Sequence, residues 1–170
     1  MKRVVAIVAL LVVIVCLLFC FKEEEKNYLR IHIRANSNTQ ADQDIKYKIK
    51  DDVINYLTPL VSKCDSFEGV IKCLDENLLN IECIVDEILA QNNFAYRCDA
   101  VLCNEYFPTR TYENFTLDSG YYDALIIKLG TGEGDNWWCV VYPPLCFVDT
   151  SSGNTKYKSR IAEVINSFFS

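Results

Sequence analysis

The chain has 170 residues, of which 51% are hydrophobic and 24% are charged, a balance typical of a folded domain and not of a disordered chain. Its formal net charge is −6. Because Lys2 and Arg3 are the only charged residues among the first 21, the rest of the chain carries −8, the difference between −6 and +2. Such an acidic body argues against a nucleic-acid partner, because proteins bind the phosphate backbone through clustered Lys and Arg.

The first 21 residues are predicted to form a targeting or anchoring segment. Lys2 and Arg3 precede an uncharged apolar run of 18 residues, 4–21. As a helix this run would span roughly 27 Å, close to the thickness of a bilayer core. It is longer than a usual signal-peptide core, and no small-residue cleavage motif follows it. We therefore expect a signal-anchor that leaves 22–170 outside the cytoplasm as one domain, with a cleaved signal peptide as the alternative.

The exported part opens with a strand followed by a helix. Residues 27–38, NYLRIHIRANSN, alternate between apolar and polar side chains, which predicts a half-buried strand. Thr39, with Asp42 three residues later, is typical of a helix N-cap. Pro59 predicts that this first helix ends or kinks near residue 58.

A second helix is predicted over 66–91. Apolar residues recur there at alternating spacings of three and four, which is the spacing of a helix face packed on other elements. These residues are Ile71, Leu74, Leu78, Ile81, Val85 and Ile88. A homo-oligomeric coiled coil is the less favoured alternative, since fewer than three heptads are present.

The remainder predicts three strands and a short C-terminal amphipathic helix. The strands are placed at 94–107, 120–130 and 137–148, and 130–136 (GTGEGDN) is interpreted as the hairpin loop joining the last two. The order is therefore β-α-α-β-β-β-α. We expect an α+β domain with a mainly antiparallel sheet of about four strands and the helices on one face.

Few residues match the pattern of a catalytic, nucleotide-binding or metal-binding site. His32 is the only histidine, and its strand neighbours Arg30 and Arg34 disfavour the imidazolium that a catalytic base must form. The GTGEG loop lacks the Lys and the following helix of a nucleotide loop. No Cys-x-x-Cys, zinc-finger or calcium-loop pattern occurs, so we expect no metal, no cofactor and no small-molecule substrate.

The most unusual stretch is NWWCVVYPPLCFVD, residues 136–149, which contains both tryptophans. In a strand Trp137 and Trp138 point to opposite faces, so one can fill the core while the other lies on the open face. There it would suit a protein contact, the alternative being that other elements cover both. Cys139 and Cys146 flank the Pro-Pro turn. A disulfide between them is one candidate, and two buried apolar thiols are the other.

Three stretches together resemble the stage II sporulation protein R family: the apolar N-terminus, LRIHIRANSNTQADQDIKYKIKDDVINYL, and FPTRTYENFTLDSGYYDALIIKLGTGEGDNWWCVVYPPLCFVD. Arg34 stands where that resemblance leads us to expect an apolar residue. The resemblance implies a signalling protein, not an enzyme, that is exported from the forespore into the intermembrane space. There it would activate a membrane-embedded aspartyl protease, which processes the pro-form of sigma-E in the mother cell.

On this interpretation the strands present a partner-binding surface to the protease. Its predicted residues are His32, Arg110, Asn136, Trp137, Trp138, Tyr142, Pro143 and Pro144. Two other classes remain open at this point. One is an exported cell-wall hydrolase that uses His32 with Cys139 or Cys146. The other is a structural envelope protein, which would require self-association.

Overall fold

The computed structural model describes residues 28–112 and 115–143. The predicted membrane segment, Pro144, Cys146 and the predicted C-terminal helix lie outside these ranges and stay predictions. The elements in chain order are β1 (Leu29–Arg34), α1 (Gln40–Val61), α2 (Phe67–Asp75), α3 (Leu78–Gln91), β2 (Cys98–Phe107), β3 (Arg110–Tyr112), β4 (Phe115–Leu117), β5 (Gly120–Leu129) and β6 (Asn136–Tyr142). None of the helices in this part of the chain has the length and apolar character needed to span a bilayer.

The architecture is α+β with a mixed four-stranded sheet, in which two of the three strand pairs are antiparallel and one is parallel. The strand order is β2-β5-β1-β6, in which β1 runs parallel to β5 and antiparallel to β6. The predicted hairpin between the last two strands is wrong, because β1 lies between β5 and β6. Strand periodicity predicts which face of a strand is buried but not which strands are neighbours. The position of β1 between β5 and β6 could therefore not be predicted from the local sequence pattern.

The first helix starts as predicted and ends later. The Thr39 hydroxyl accepts a hydrogen bond from the backbone N–H of Asp42 at 3.3 Å. Pro59 lies inside α1, which continues to Val61. The Thr58 hydroxyl donates to the Ile54 carbonyl at 2.6 Å. A proline in the last turn removes a single backbone donor, and the helix tolerates that loss so close to its end.

The predicted long helix is two helices, which corrects the sequence interpretation. α2 and α3 are separated at Glu76 and Asn77. The Asn77 side chain donates to the Cys73 carbonyl at 2.7 Å and accepts from the Tyr56 hydroxyl at 2.7 Å. An Asn side chain that bonds the backbone in this way favours a helix end over a helix interior. The apolar spacing nevertheless continues across the break, and both helices bury their apolar residues in the same core.

The hydrophobic core lies between the three helices and one face of the sheet. On β1, Leu29, Ile31 and Ile33 are fully buried towards the helices. Four of the residues predicted for the second helix are buried here, namely Leu74, Ile81, Val85 and Ile88, whereas Ile71 and Leu78 are only partly buried. The other buried helix residues are Ile45, Ile49, Val53, Leu57, Val61, Val70 and Leu89. β1 is therefore a central strand with both faces covered, not the half-buried strand that its alternation predicted.

The glycine-rich loop 130–136 is held against the segment that follows β1. The N–H of Gly134 donates to the Ala35 carbonyl at 2.8 Å, and the N–H of Thr131 donates to Asn36 Oδ1 at 3.0 Å. A Cβ added to Gly134 would collide with the backbone carbonyl of Ser37. The loop's glycines thus permit a close approach between two backbones, as glycine does at such crossings.

Candidate functional site

The face of the sheet opposite the helices carries an unusual row of cations. Because side chains alternate along a strand, the buried apolar residues of β1 face the helices while Arg30, His32 and Arg34 face the other way. Beside His32 in the register lie Ile126 on β5 and Trp138 on β6. We call this surface the helix-free face.

The ends of β2 and β5 curl over the helix-free face as a two-stranded ribbon. Phe107 pairs with Gly120, which is six residues before Ile126, the β5 partner of His32. In a flat sheet six residues would separate the two by roughly 20 Å. The rings of Phe107 and His32 are only 5.7 Å apart, so the ribbon must bend back across the sheet.

This curl buries polar side chains that an open face would expose. The Arg30 guanidinium lies 4.1 Å above the centroid of the Phe107 ring and 5.0 Å from that of Tyr122. Arg30 is 0% exposed and His32 is 5% exposed. Arg30 is therefore part of the interior of the protein, where the aromatic rings contact its planar cation favourably.

His32 is a neutral residue in a closed environment. Burial, followed by the nearby charge of Arg34, lowers its pKa from 6.5 to about 4. Its ring lies 4.7 Å from the Trp138 ring, and Nδ1 is 3.3 Å from Glu105 Oε2. Since an ionised carboxylate can only accept, the neutral imidazole carries its proton on Nδ1 and donates a hydrogen bond to Glu105. The single histidine thus packs among aromatic rings, with little of its surface accessible.

Glu105 also explains why β1 carries Arg34 at a position where an apolar residue was expected. Its other carboxylate oxygen forms an ion pair with Arg34, and both side chains are about one quarter exposed. Glu105 reaches Arg34 only because the ribbon curls over the face. The sequence pattern contains no sign of this contact, so neither Glu105 nor Phe107 is among the predicted site residues.

One accessible part of the helix-free face lies at its edge, around Trp138. The Arg110 guanidinium lies 4.2 Å from the centroid of the Trp138 ring, in a cation–π contact. Arg110 and Asn136 are exposed, and Trp138 is half-buried. Arg110 is placed by β3, which pairs with β4 in a small separate sheet that was not predicted. These three residues form what we call the contact rim.

The other predicted contact residues lie elsewhere. Trp137 points towards the helices, where its ring is 5.9 Å from Lys50 Nζ. Tyr142 packs edge-on against Phe67 with ring centroids 6.0 Å apart. Pro143 is buried after a cis peptide bond. Of the two tryptophans, Trp138 is therefore the one on the helix-free face.

His32 and Cys139 do not form a catalytic dyad, because their side chains lie on opposite faces of the sheet. Cys139 is the register partner of Ile31, so it lies on the helix side of the sheet while His32 lies on the other. Cys139 is also disulfide-bonded. Cys146 lies outside the described ranges, so the predicted pairing of these two cysteines stays a prediction. Across 28–112 and 115–143, no cluster of His, Cys, Asp or Glu is arranged to hold a metal ion.

Comparison with known proteins identifies relatives of the chain. A family model described as stage II sporulation protein R matches residues 25–152. The stage II sporulation protein R of Bacillus subtilis (strain 168) is 36% identical over 125 residues, which are 74% of this chain and 56% of that protein. The match thus spans little more than half of the relative's length. No solved structure matches the chain significantly.

Proposed function

Because the chain belongs to the stage II sporulation protein R family, we propose that it is an exported signal that activates a membrane-embedded aspartyl protease during sporulation. It would act between the forespore and mother-cell membranes, and the protease would then process the pro-form of sigma-E in the mother cell. The observation that carries this proposal is the family match, which includes every strand of the helix-free face and the whole contact rim.

The contact rim is the surface through which we propose that the signal acts. Trp138 offers apolar area that is already ordered by the Arg110 contact, so little side-chain entropy is lost when a partner covers it. Arg110 has no carboxylate partner among the described residues, and its charge is unusual on a body of net charge −8. A partner segment with an acidic residue next to an apolar one would satisfy both side chains.

The mechanism that we propose for activation is a population shift. A signal changes a two-state receptor only by its difference in affinity for the two states, and each tenfold difference amounts to about 1.4 kcal/mol. The signal would therefore bind the active form of the protease more tightly than the inactive form. No catalytic group of the signal takes part in the cleavage.

The test is a co-expression assay in cells that lack sporulation genes. The cells carry the protease and a tagged pro-sigma factor, either alone, with the full chain, or with residues 22–170 lacking any export segment. We expect processing only with the full chain, because the signal must reach the outer side of the membrane. Absence of processing, with all three proteins detected by immunoblot, would refute the proposal. Equal processing by the unexported form would refute the extracytoplasmic site of action.

A further inference from the structure

Two cysteines meet at the turn between α1 and α2. Cys64 follows the end of α1, and its N–H donates to the Val61 carbonyl at 3.0 Å. α2 then starts at Phe67, and Ser66 caps it by accepting from the N–H of Gly69 at 3.0 Å. The chain therefore reverses within a few residues, which turns Cys64 towards the side of α2.

Gly69 makes room for this approach. A Cβ added at Gly69 would lie 3.7 Å from the Cβ of Cys64, so the Cys64 side chain packs against the Gly69 position. Cys73 is four residues further along the same helix and shares that face. Burial, followed by the neighbouring Cys73 thiol, raises the pKa of the Cys64 thiol to about 11. Cys64 Sγ lies 3.5 Å from the Leu60 carbonyl oxygen, and both cysteines are half-buried and free.

The other free cysteines of the described residues have no such neighbour. Cys83 and Cys103 are exposed on separate elements, α3 and β2. Cys98 is half-buried, with its Sγ 3.6 Å from the Glu82 carbonyl oxygen. Proximity therefore singles out one pair. A disulfide requires Cα atoms roughly 4.4–6.8 Å apart, so only cysteines on directly packed segments are candidates.

We propose that Cys64 and Cys73 form a disulfide that closes the α1–α2 turn once the chain meets an oxidising compartment, a condition that rests on the export proposed above. The oxidant is a small-molecule or protein disulfide. One thiolate attacks a sulfur of that disulfide, which releases a thiolate and leaves a mixed disulfide on the protein. The second cysteine, after losing its proton, attacks the mixed disulfide and releases the other thiolate. Two cysteines are thus oxidised while one disulfide is reduced to two thiols.

The bond would fix the angle between two helices of the core. It closes a loop of about ten residues in the unfolded chain, which should raise the melting temperature by about 10 °C. Val70 and Leu74, which are fully buried, lie on the same short helix as Cys73. The same contact exists without oxidation, so the reduced protein should have the same fold with a lower melting temperature.

Peptide mapping of the purified full chain in detergent tests the proposal. The probe is a glutathione buffer, oxidised in one sample and reduced in the other. Trypsin cleaves after Lys63 and Lys72 and releases 64–72, which contains a single cysteine. The next peptide contains Cys73 and Cys83, so Cys83→Ser is introduced to remove the ambiguity. We expect the two peptides to be joined in the oxidised sample and separate in the reduced one.

Cys73→Ser in the Cys83→Ser background is the matched control for the stability effect. Oxidation should raise the melting temperature of the Cys83→Ser protein, and most of that rise should disappear in the double variant. Separate glutathione adducts on 64–72 and on Cys73, without a joined species, would overturn the inference. This assay uses only a glutathione buffer, so its failure and a failure of the protease proposal are independent results.

Discussion

Protonation of His32 should destabilise the folded chain below neutral pH. The folded state lowers the pKa of this buried imidazole to about 4, whereas the unfolded chain has the ordinary value near 6.5. Between these two values the unfolded chain binds more protons than the folded one. The stability contribution is therefore complete above about pH 6.5 and is lost as the pH falls towards 4.

The magnitude follows from the difference between the two pKa values. One pKa unit corresponds to about 1.4 kcal/mol, so the loss is about 3 kcal/mol at pH 4 and approaches about 3.4 kcal/mol below it. At about pH 5 the expected loss is about 2 kcal/mol, because most unfolded molecules but few folded ones are then protonated. Such a loss is a large fraction of the stability of an ordinary domain.

Two measurements check this prediction on protein without a histidine tag. Since the chain has one histidine, the imidazole protons give a single NMR titration, whose midpoint we expect near pH 4. Urea unfolding then compares the wild type with His32→Gln, which cannot titrate there. Between about pH 7.5 and 5 the wild type should lose about 2 kcal/mol more than the variant.

The Arg34 charge provides an internal control. Arg34 is the second cause of the lowered pKa, so Arg34→Leu should move the NMR midpoint of His32 upwards, towards 6.5. A wild-type midpoint between about pH 6 and 7 would refute the reasoning, because it would mean that the imidazole is exposed and the ribbon does not close over it.

Two further substitutions test the fold with matched controls, by urea unfolding. Gly134→Ala should cost about 1–3 kcal/mol because its Cβ collides with the Ser37 carbonyl, whereas Gly120→Ala, whose Cβ would meet Tyr122 at 3.7 Å, should cost less than about 0.5 kcal/mol. Leu74→Ala empties a fully buried position and should cost about 2–5 kcal/mol, while Leu79→Ala, at a side chain 76% exposed, should change the free energy of unfolding by less than about 0.5 kcal/mol. Equal losses within either pair would contradict the assigned packing.

The sequence predicts the local elements better than their arrangement. The alternation predicts the existence of β1, and the Thr39 cap predicts where α1 begins, since both depend on near neighbours. The break at Asn77 depends on a contact with Tyr56 from another helix, so the helical spacing concealed it. The hairpin prediction failed for a similar reason, because β1 comes from the other end of the chain to separate β5 and β6.

The sequence predicts the positions of some of these side chains but not of others. The opposite directions of Trp137 and Trp138 follow from strand geometry alone, and the structure shows which tryptophan packs under the helices. The burial of His32 could not be predicted, because it depends on the ribbon that places Phe107 and Glu105 above it. Curling of a two-stranded ribbon depends on twist and tertiary contact, and neither leaves a short-range signature.

The central claim is that the contact rim activates the protease. The most direct measurement is pro-sigma processing in the co-expression assay with Arg110→Glu, compared with Arg97→Glu as control. Arg97 is also an arginine with a highly exposed side chain, 87%, but it lies 3.7 Å from Asp86, outside the contact rim. Our account predicts that Arg110→Glu lowers the processing rate about tenfold or more while the control stays near wild type. Equal processing by both variants, at equal levels of exported protein, would contradict it.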